Sequence, residues 1–302
     1  VFSKKVNIGN CSVSESSEPY IIAEISANHN GDLDRAKKLI KEAEKNGAHA
    51  VKFQTYKSDT ITLNSTREEF MIHGGLWDGR SLHDLYSEGS LPWEWHKELF
   101  EYAWNTGLAV ISSPFDETAV DFLVDLGVDA LKIASFELCH IPLLEKCAAS
   151  GLPIIISTGM GTLEEVEEAL EVMSSNGADE VIVLHCISSY PANPDDFNLP
   201  RMNLLKERFD VLVGLSDHCI DNHIAIGSVV LGATLIEKHF TLDRDGGGLD
   251  DSFSILPHEL RSLVNNSREI KKAIRSKNIL SEPELESRNF RRSIYASSDI
   301  KK

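Results

Sequence analysis

The sequence lacks the features that define several classes of protein. Its five cysteines are scattered without a CxxC pair, so we expect reduced thiols and neither a disulfide framework nor a zinc-thiolate site. Basic residues are few, 30 against 47 acidic ones, and the net charge of −17 disfavours a nucleic-acid or anionic-membrane partner. No apolar run approaches the ~20 residues of a membrane span, and no signal-peptide pattern opens the chain. These absences predict a cytoplasmic protein with no membrane and no nucleic-acid partner.

What the sequence contains is one pattern repeated from residue 20 onward. A short apolar strand, a polar loop and an amphipathic helix follow each other, and a glycine usually precedes the next strand. The eight predicted strands cover residues 20–26, 50–53, 109–112, 130–134, 154–157, 181–186, 211–215 and 234–237. Their continuous apolar runs are typical of a parallel sheet buried on both faces. With no GxGxxG after the first strand, the pattern predicts an α/β fold, a closed (β/α)8 TIM barrel.

Three segments depart from this pattern. Residues 1–19 are predicted to form an amino-terminal hairpin that covers one end of the barrel. The insertion at residues 55–92 is far longer than an ordinary connection, so we assign it to substrate recognition. After the barrel, which we place at residues 20–276, the polar tail 277–302 is interpreted as a linker and the start of another module.

Two neighbouring predicted strands each run into a histidine. The first ends in the letters SDH, at His218, and the second ends in EKH, at His239. The helix-like segment 222–231 between them makes the strands parallel, so their carboxyl ends lie side by side. The two histidines could therefore share a divalent metal, with Asp250 in a glycine-rich loop folding over it. The alternative is that each histidine merely caps its strand.

Lysines lie inside two of the apolar strands, in AVKFQ and ALKIAS. An ammonium group is costly to bury unless it meets an anion, so Lys52 and Lys132 could form a phosphate cradle. The surrounding hydroxyl groups are those of Ser113, Ser135, Ser157 and Ser216. The alternative partners of the lysines are the carboxylates of Glu24, Glu137 and Glu237. A barrel lysine also allows a Schiff-base aldolase, but the paired histidines favour a metal, which polarises a carbonyl to the same end.

Glu24 and Glu137 are the candidate acid-base residues, because burial raises a carboxyl pKa toward neutrality. Either could instead only orient a lysine. His29, in SANHNGD, could contact substrate or belong to an ordinary turn. His185 lies within a strand and is predicted to be a core residue.

Seven segments resemble, in order and spacing, those of the sialic acid synthases, which condense phosphoenolpyruvate with an amino-sugar aldehyde. The segments are AEISANHNGDLDRAKKLIKEAEKNGAHAVKFQTY, SSPFD, LKIASFEL, PIIISTGM, SSYPA, GLSDH and EKHFTLDRD. The resemblance covers residues 20–275 and consists of many motifs in order.

The resemblance implies a metal-dependent condensation. His218 and His239 would be the ligands of a divalent metal, usually Mn2+, with Mg2+ or Co2+ as alternatives. The implied phosphoenolpyruvate ligands are Lys52, Ser113, Lys132, Ser135, Ser157, Ser188, Tyr190 and Ser216. The implied sugar ligands are Gln54 and His29, and the implied catalytic groups are Glu24, Glu137 and Asp250. The product would be a nine-carbon 2-keto acid, with phosphate released by C–O cleavage.

Within the family, LWDGRSLHDLYSEGSLPWEWH and GGGLDDSFS resemble the pseudaminic acid synthases. Their substrate is a 2,4-diacetamido-2,4,6-trideoxy hexose related to altrose. The alternative is an N-acetylneuraminate or legionaminate synthase that uses an N-acetylmannosamine-type sugar. Those enzymes tend to have a Gly-Pro-Asp-His-like segment where this chain has GLDD at 248–251.

The family usually carries a small antifreeze-like domain after the barrel, and FRRSIYASSDIKK resembles its first strand. We therefore expect that domain to be essentially missing from this chain. In the family, a partner's copy of the domain supplies an arginine to the sugar. The resemblance thus implies a domain-swapped homodimer when the full domain is present.

Overall fold

Eight parallel strands close into a barrel in the computed structural model, which describes residues 2–275 and 279–302. The barrel strands are β3 (Tyr20–Glu24), β4 (Ala50–Thr55), β5 (Ala109–Pro114), β6 (Ala130–Ile133), β7 (Ile154–Ser157), β8 (Val181–Cys186), β9 (Leu212–Asp217) and β10 (Leu235–His239). Each strand pairs with its neighbours in the chain, and β10 pairs with β3 to close the ring. The predicted (β/α)8 barrel is confirmed.

A two-stranded hairpin closes the amino-terminal end of the barrel. Its strands, β1 (Lys5–Ile8) and β2 (Cys11–Ser14), are antiparallel. Val6 and Ile8 join one apolar cluster with the inward-facing residues at the strand starts, such as Ile22. The opposite end, where the strands finish, is therefore the open one.

Helices follow the strands and cover the outside of the barrel. They are α1 (Leu33–Lys45), α4 (Trp93–Thr106), α5 (Glu117–Leu126), α6 (Ile141–Ala149), α7 (Leu163–Ser175), α8 (Arg201–Phe209), α9 (His223–Val230) and α10 (Pro257–Arg275). Two short helices, α2 (Ser58–Ile61) and α3 (Leu82–Gly89), lie in the long insertion. Among the described residues, no helix combines the length and the apolar character that crossing a membrane would need.

The structure corrects two details of the predicted elements. The first barrel strand ends at Glu24, two residues early, because Ser26 has a φ of 46° and cannot continue an extended strand. The expected strand in FRRSIYASSDIKK does not form: residues 291–302 contain neither helix nor strand, and α11 (Glu282–Ser287) precedes them. Ile294 and Tyr295 are fully or largely exposed, so no neighbouring strand is present to pair with this segment.

Candidate active site

A polar cavity opens at the carboxyl ends of the barrel strands. Because side chains alternate along a strand, every second residue near a strand end faces into this cavity. The predicted residues that line it are Glu24, Lys52, Gln54, Ser113, Lys132, Ser135, Ser157, Tyr190, Ser216, His218 and His239. Ala134, Cys186 and Glu237 complete the lining. The structure therefore brings together most of the predicted site.

Two buried lysines occupy the floor of the cavity. Lys52 Nζ lies 2.8 Å from Glu24 Oε2 and 3.8 Å from Glu237 Oε1, and it donates to Ser113 Oγ at 3.3 Å. Lys132 Nζ lies 3.8 Å from the same Glu237 oxygen. Burial lowers the pKa of both lysines. At Lys52 the nearby Glu237 and Glu24 outweigh burial, and the pKa is raised. At Lys132 burial prevails, and the pKa is lowered. Lys52 thus has the carboxylate partner foreseen as the alternative to phosphate, whereas Lys132 has no such close partner.

Three glutamates surround these lysines in different electrostatic settings. Burial raises the pKa of Glu24, and Lys52 only partly offsets it. At Glu237 burial acts in the same direction, but Lys132 and Lys52 outweigh it and hold its pKa below the ordinary value. Glu137 follows β6, and burial raises its pKa to about 7, against the pull of Lys132. Glu137 can therefore exchange a proton near neutral pH.

The two histidines at the ends of β9 and β10 face each other, with ring centroids 5.3 Å apart. His218 Nδ1 lies 2.8 Å from the Ile187 carbonyl, which as an acceptor requires the proton on Nδ1 and leaves Nε2 with its lone pair. Burial lowers the pKa of His239 well below the ordinary value, so its ring is neutral. At His218 the effect of burial is outweighed by Cys186, and its pKa is raised. A cation bound at Nε2 would require the neutral His218 ring, with its single proton on Nδ1.

Several polar atoms of the site have no protein partner within the described part of the chain. These buried atoms include Ser157 Oγ, Ser188 Oγ, Glu137 Oε2, Glu237 Oε2 and His239 Nδ1. Buried polar groups are almost always hydrogen-bonded, so a cluster of unpaired ones is expected where a ligand supplies the bonds.

Gly159 allows two of the predicted hydroxyl groups to pack closely against the backbone. A Cβ at this position would overlap Ser188 Oγ and lie 2.7 Å from Ser135 Oγ. The Gly159 amide donates to Ser135 Oγ at 3.0 Å. Only glycine fits without moving these hydroxyls, so the absence of a side chain at residue 159 fixes the positions of Ser135 and Ser188.

Asp250 and Gln54 occupy the side of the cavity next to Glu24. The Ser26 hydroxyl donates to Asp250 Oδ2 at 2.5 Å, and His239 Nδ1 lies 3.6 Å from the same oxygen. Gln54 Nε2 donates to Glu24 Oε1 at 3.0 Å. Asp250 thus lies next to His239, and Gln54, which also donates to Ser26 Oγ at 3.0 Å, connects Glu24 to the serine that holds Asp250.

His29 does not line the cavity. Its side chain has no exposed surface, its ring packs edge-on against Trp95, and its Nδ1 accepts from the Gly31 amide at 3.1 Å. Because His29 is absent from the cavity lining and bonds to the backbone of its own turn, the turn interpretation describes its position. His185 is buried and lies against Phe197, as expected of a core residue.

The long insertion reaches over the cavity. Trp77 Nε1 donates to the Leu249 carbonyl in the glycine-rich loop at 3.3 Å. Its ring lies 6.1 Å from that of Tyr190, which in turn packs 4.3 Å from His218. The insertion and the glycine-rich loop therefore meet above the histidine pair.

The fold and this cavity define the class: a (β/α)8 barrel with its active-site face at the strand carboxyl ends. The family model described as "NeuB family" matches residues 39–278. The chain belongs to that family.

Named relatives and one solved structure agree with this assignment. A pseudaminic acid synthase of Campylobacter jejuni is 44% identical over 284 residues, which cover 94% of this chain and 83% of the relative. An N,N'-diacetyllegionaminic acid synthase of the same species is 41% identical over 93% of this chain and 86% of its own length. The crystal structure of an N-acetylneuraminic acid synthetase from Leptospira borgpetersenii, in complex with citrate, aligns with a TM-score of 0.84 at 32% identity, covering 95% of this chain and 96% of that one.

Proposed function

We propose that this chain condenses phosphoenolpyruvate with the open-chain aldehyde of a 2,4-diacetamido-2,4,6-trideoxy hexose of the altrose type. Water is the third substrate, and the products are pseudaminic acid and phosphate. The observation that carries the proposal is the buried lysine pair beside two facing imidazoles. The identity to pseudaminic acid synthases supports the choice of sugar.

Phosphoenolpyruvate is a small, highly charged anion, and the cavity floor offers what it needs. Within the described residues Lys132 has no carboxylate nearer than 3.8 Å and donates only to the Ile133 carbonyl at 3.2 Å, so its ammonium has protons left for the phosphate. The unpaired hydroxyls of Ser157 and Ser188, the second of which packs against Gly159, supply neutral partners beside it. Lys52, held by Glu24, lies on the other side of the floor.

The histidine pair suits a divalent metal, which we propose to be Mn2+, with Mg2+ or Co2+ as alternatives. Nε2 of His218 and the unpaired Nδ1 of His239 are the available nitrogens. In the described residues no group of three or more His, Cys, Asp or Glu side chains could hold a metal by itself. Water and substrate oxygens would therefore complete the coordination. A bound cation would polarise the aldehyde oxygen of the sugar.

The reaction forms one C–C bond and breaks one C–O bond. C3 of phosphoenolpyruvate attacks the aldehyde carbon, and water adds to the cationic C2 that results. Loss of phosphate by C2–O cleavage then gives the 2-keto acid. Glu137, whose pKa burial raises to about 7, is suited to move the proton, with Glu24 next to Lys52 as the second carboxyl group.

A legionaminate or N-acetylneuraminate synthase is the second candidate, favoured by 41% identity to a diacetyllegionaminic acid synthase. Phosphate release should be measured from purified protein with phosphoenolpyruvate, Mn2+ and each sugar in turn. We expect the highest kcat/KM with the altrose-type sugar and no release after EDTA treatment. Condensation of pyruvate itself with the sugar, unaffected by EDTA but abolished by borohydride in the presence of pyruvate, would instead identify a Schiff-base aldolase.

A further inference from the structure

A buried ion pair lies behind the two histidines, on the outer face of the barrel. Lys238 and Asp217 are register partners in β10 and β9, and Lys238 Nζ lies 2.8 Å from Asp217 Oδ2. Their exposed fractions are only 2% and 1%. Since side chains alternate along a strand, this pair faces away from the cavity that Glu237 and His239 line. Neither side chain can touch a substrate there.

The same pair also holds the loop that carries His218. Asp217 Oδ1 accepts from the Cys219 amide at 2.8 Å. Lys238 Nζ donates to the carbonyl of Cys219 and, at 3.0 Å, to that of Asp221. One ammonium group therefore makes three charge-assisted hydrogen bonds to the turn that begins at the end of β9. His239 is the next residue after this lysine, so the side chain links the loop of one histidine to the strand of the other.

We infer that Lys238 and Asp217 are positioning residues that fix the separation of His218 and His239, and with it the affinity of the metal centre. This inference rests on the metal site proposed above. The ring of His218 is oriented by its bond to the Ile187 carbonyl. That bond sets the direction of the ring, whereas the lysine sets the position of the backbone that carries it. Without the ion pair the loop is no longer held, and the backbone that carries His218 can move even though its ring still bonds to the Ile187 carbonyl.

The test compares three forms of the full chain. The double variant Asp217→Asn/Lys238→Met removes both charges and leaves no unpaired buried ion. The control Thr234→Val removes a buried hydrogen bond of 2.9 Å to the Val213 carbonyl, at the other end of the same two strands. The dissociation constant of Mn2+ is measured from the electron paramagnetic resonance signal of the free ion. Phosphoenolpyruvate binding is measured separately by calorimetry without metal.

We expect the double variant to bind Mn2+ about 10- to 100-fold more weakly, the usual effect of losing residues that orient metal ligands. The control should bind Mn2+ as the wild type does, and phosphoenolpyruvate affinity should be unchanged in all three. Equal Mn2+ affinity in the wild type and the double variant would overturn the inference and leave the metal centre intact. An equal loss of Mn2+ affinity in Thr234→Val, or a loss of phosphoenolpyruvate affinity in the double variant, would show that Lys238 and Asp217 only support the fold. Either result would also overturn the inference. A wild type that does not bind Mn2+ would remove the metal centre and this inference together.

Discussion

The ammonium of Lys52 lies 2.8 Å from the carboxylate of Glu24, and both side chains are almost wholly buried. Lys132, equally buried, comes no nearer than 3.8 Å to any carboxylate of the described residues. The two lysines of the cavity floor therefore differ in their charged partners. Lys52 has a close carboxylate partner within the protein, whereas Lys132 is the lysine that we propose to bind the incoming anion.

This difference predicts opposite effects of the same substitution. Lys52→Met leaves Glu24 as an unpaired buried carboxyl group and should lower the free energy of unfolding by about 3–5 kcal/mol. Lys132→Met should cost much less stability but raise the KM for phosphoenolpyruvate at least tenfold, more than the KM for the sugar, because a buried phosphate loses a charged partner. Urea denaturation and steady-state kinetics measure the two effects. Equal stability losses in the two variants would contradict the assignment.

Gly159 predicts a steric effect on phosphoenolpyruvate binding. In Gly159→Ala the new methyl group displaces the hydroxyls of Ser188 and Ser135, so the KM for phosphoenolpyruvate should rise about tenfold. Gly227→Ala is the matched control, since its Cβ would meet nothing closer than 3.6 Å and it lies in α9. The control should leave kinetics unchanged and raise the melting temperature slightly, as expected of alanine in a helix. An unchanged KM in Gly159→Ala would place the phosphate elsewhere.

The raised pKa of Glu137 predicts how stability varies with pH. Burial moves this pKa from 4.5 to about 7, so between these pH values the folded chain holds a proton that the unfolded chain has lost. Stability then falls as pH rises through this window, by up to about 3 kcal/mol from this residue. In Glu137→Gln that contribution is absent, and the variant should gain stability relative to the wild type from pH 4.5 to 7.

Thermal melts of both proteins across this range provide the measurement. A constant difference in melting temperature would show that Glu137 titrates normally. In the kinetics, the kcat/KM of the wild type should change with pH around pH 7, and Glu137→Gln should lack that change.

Trp77 predicts an effect on the sugar alone. Its ring lies 6.1 Å from that of Tyr190, which packs against His218, and it is not among the residues that line the cavity with the lysines. Trp77→Ala removes an aromatic contact and should raise the KM for the sugar about three- to tenfold, with no change for phosphoenolpyruvate. Leu76→Ala, at a neighbouring residue that is 48% exposed, is the control and should change neither. A rise in the KM for phosphoenolpyruvate would count against the insertion as the sugar-facing part.

The barrel and most of its site were predictable because they depend on local pattern and topology. Continuous apolar runs such as residues 154–157 mark strands buried on both faces, and parallel strands place their carboxyl ends together. The position of Glu237, which we expected as an alternative partner of the lysines, follows from the same local pattern. It lies two residues before His239, and the period of two along a strand sends both side chains inward and Lys238 outward.

Other parts of the site depend on distant contacts that no local pattern records. His29 is buried because Trp95, from the helix after the next strand, packs on it. Gly159 matters because Ser135 and Ser188 arrive from loops after two other strands. The strand expected at the chain's end needed a pairing partner, and residues 291–302 have none among the described residues.

The most direct measurement follows the bridging oxygen of phosphoenolpyruvate. Phosphoenolpyruvate labelled with 18O between C2 and phosphorus is incubated with the protein, Mn2+ and saturating altrose-type sugar, and the released phosphate is analysed by mass spectrometry. The proposed condensation predicts phosphate that carries the label, formed only when sugar and metal are both present. Unlabelled phosphate, or release that needs no sugar, would contradict it.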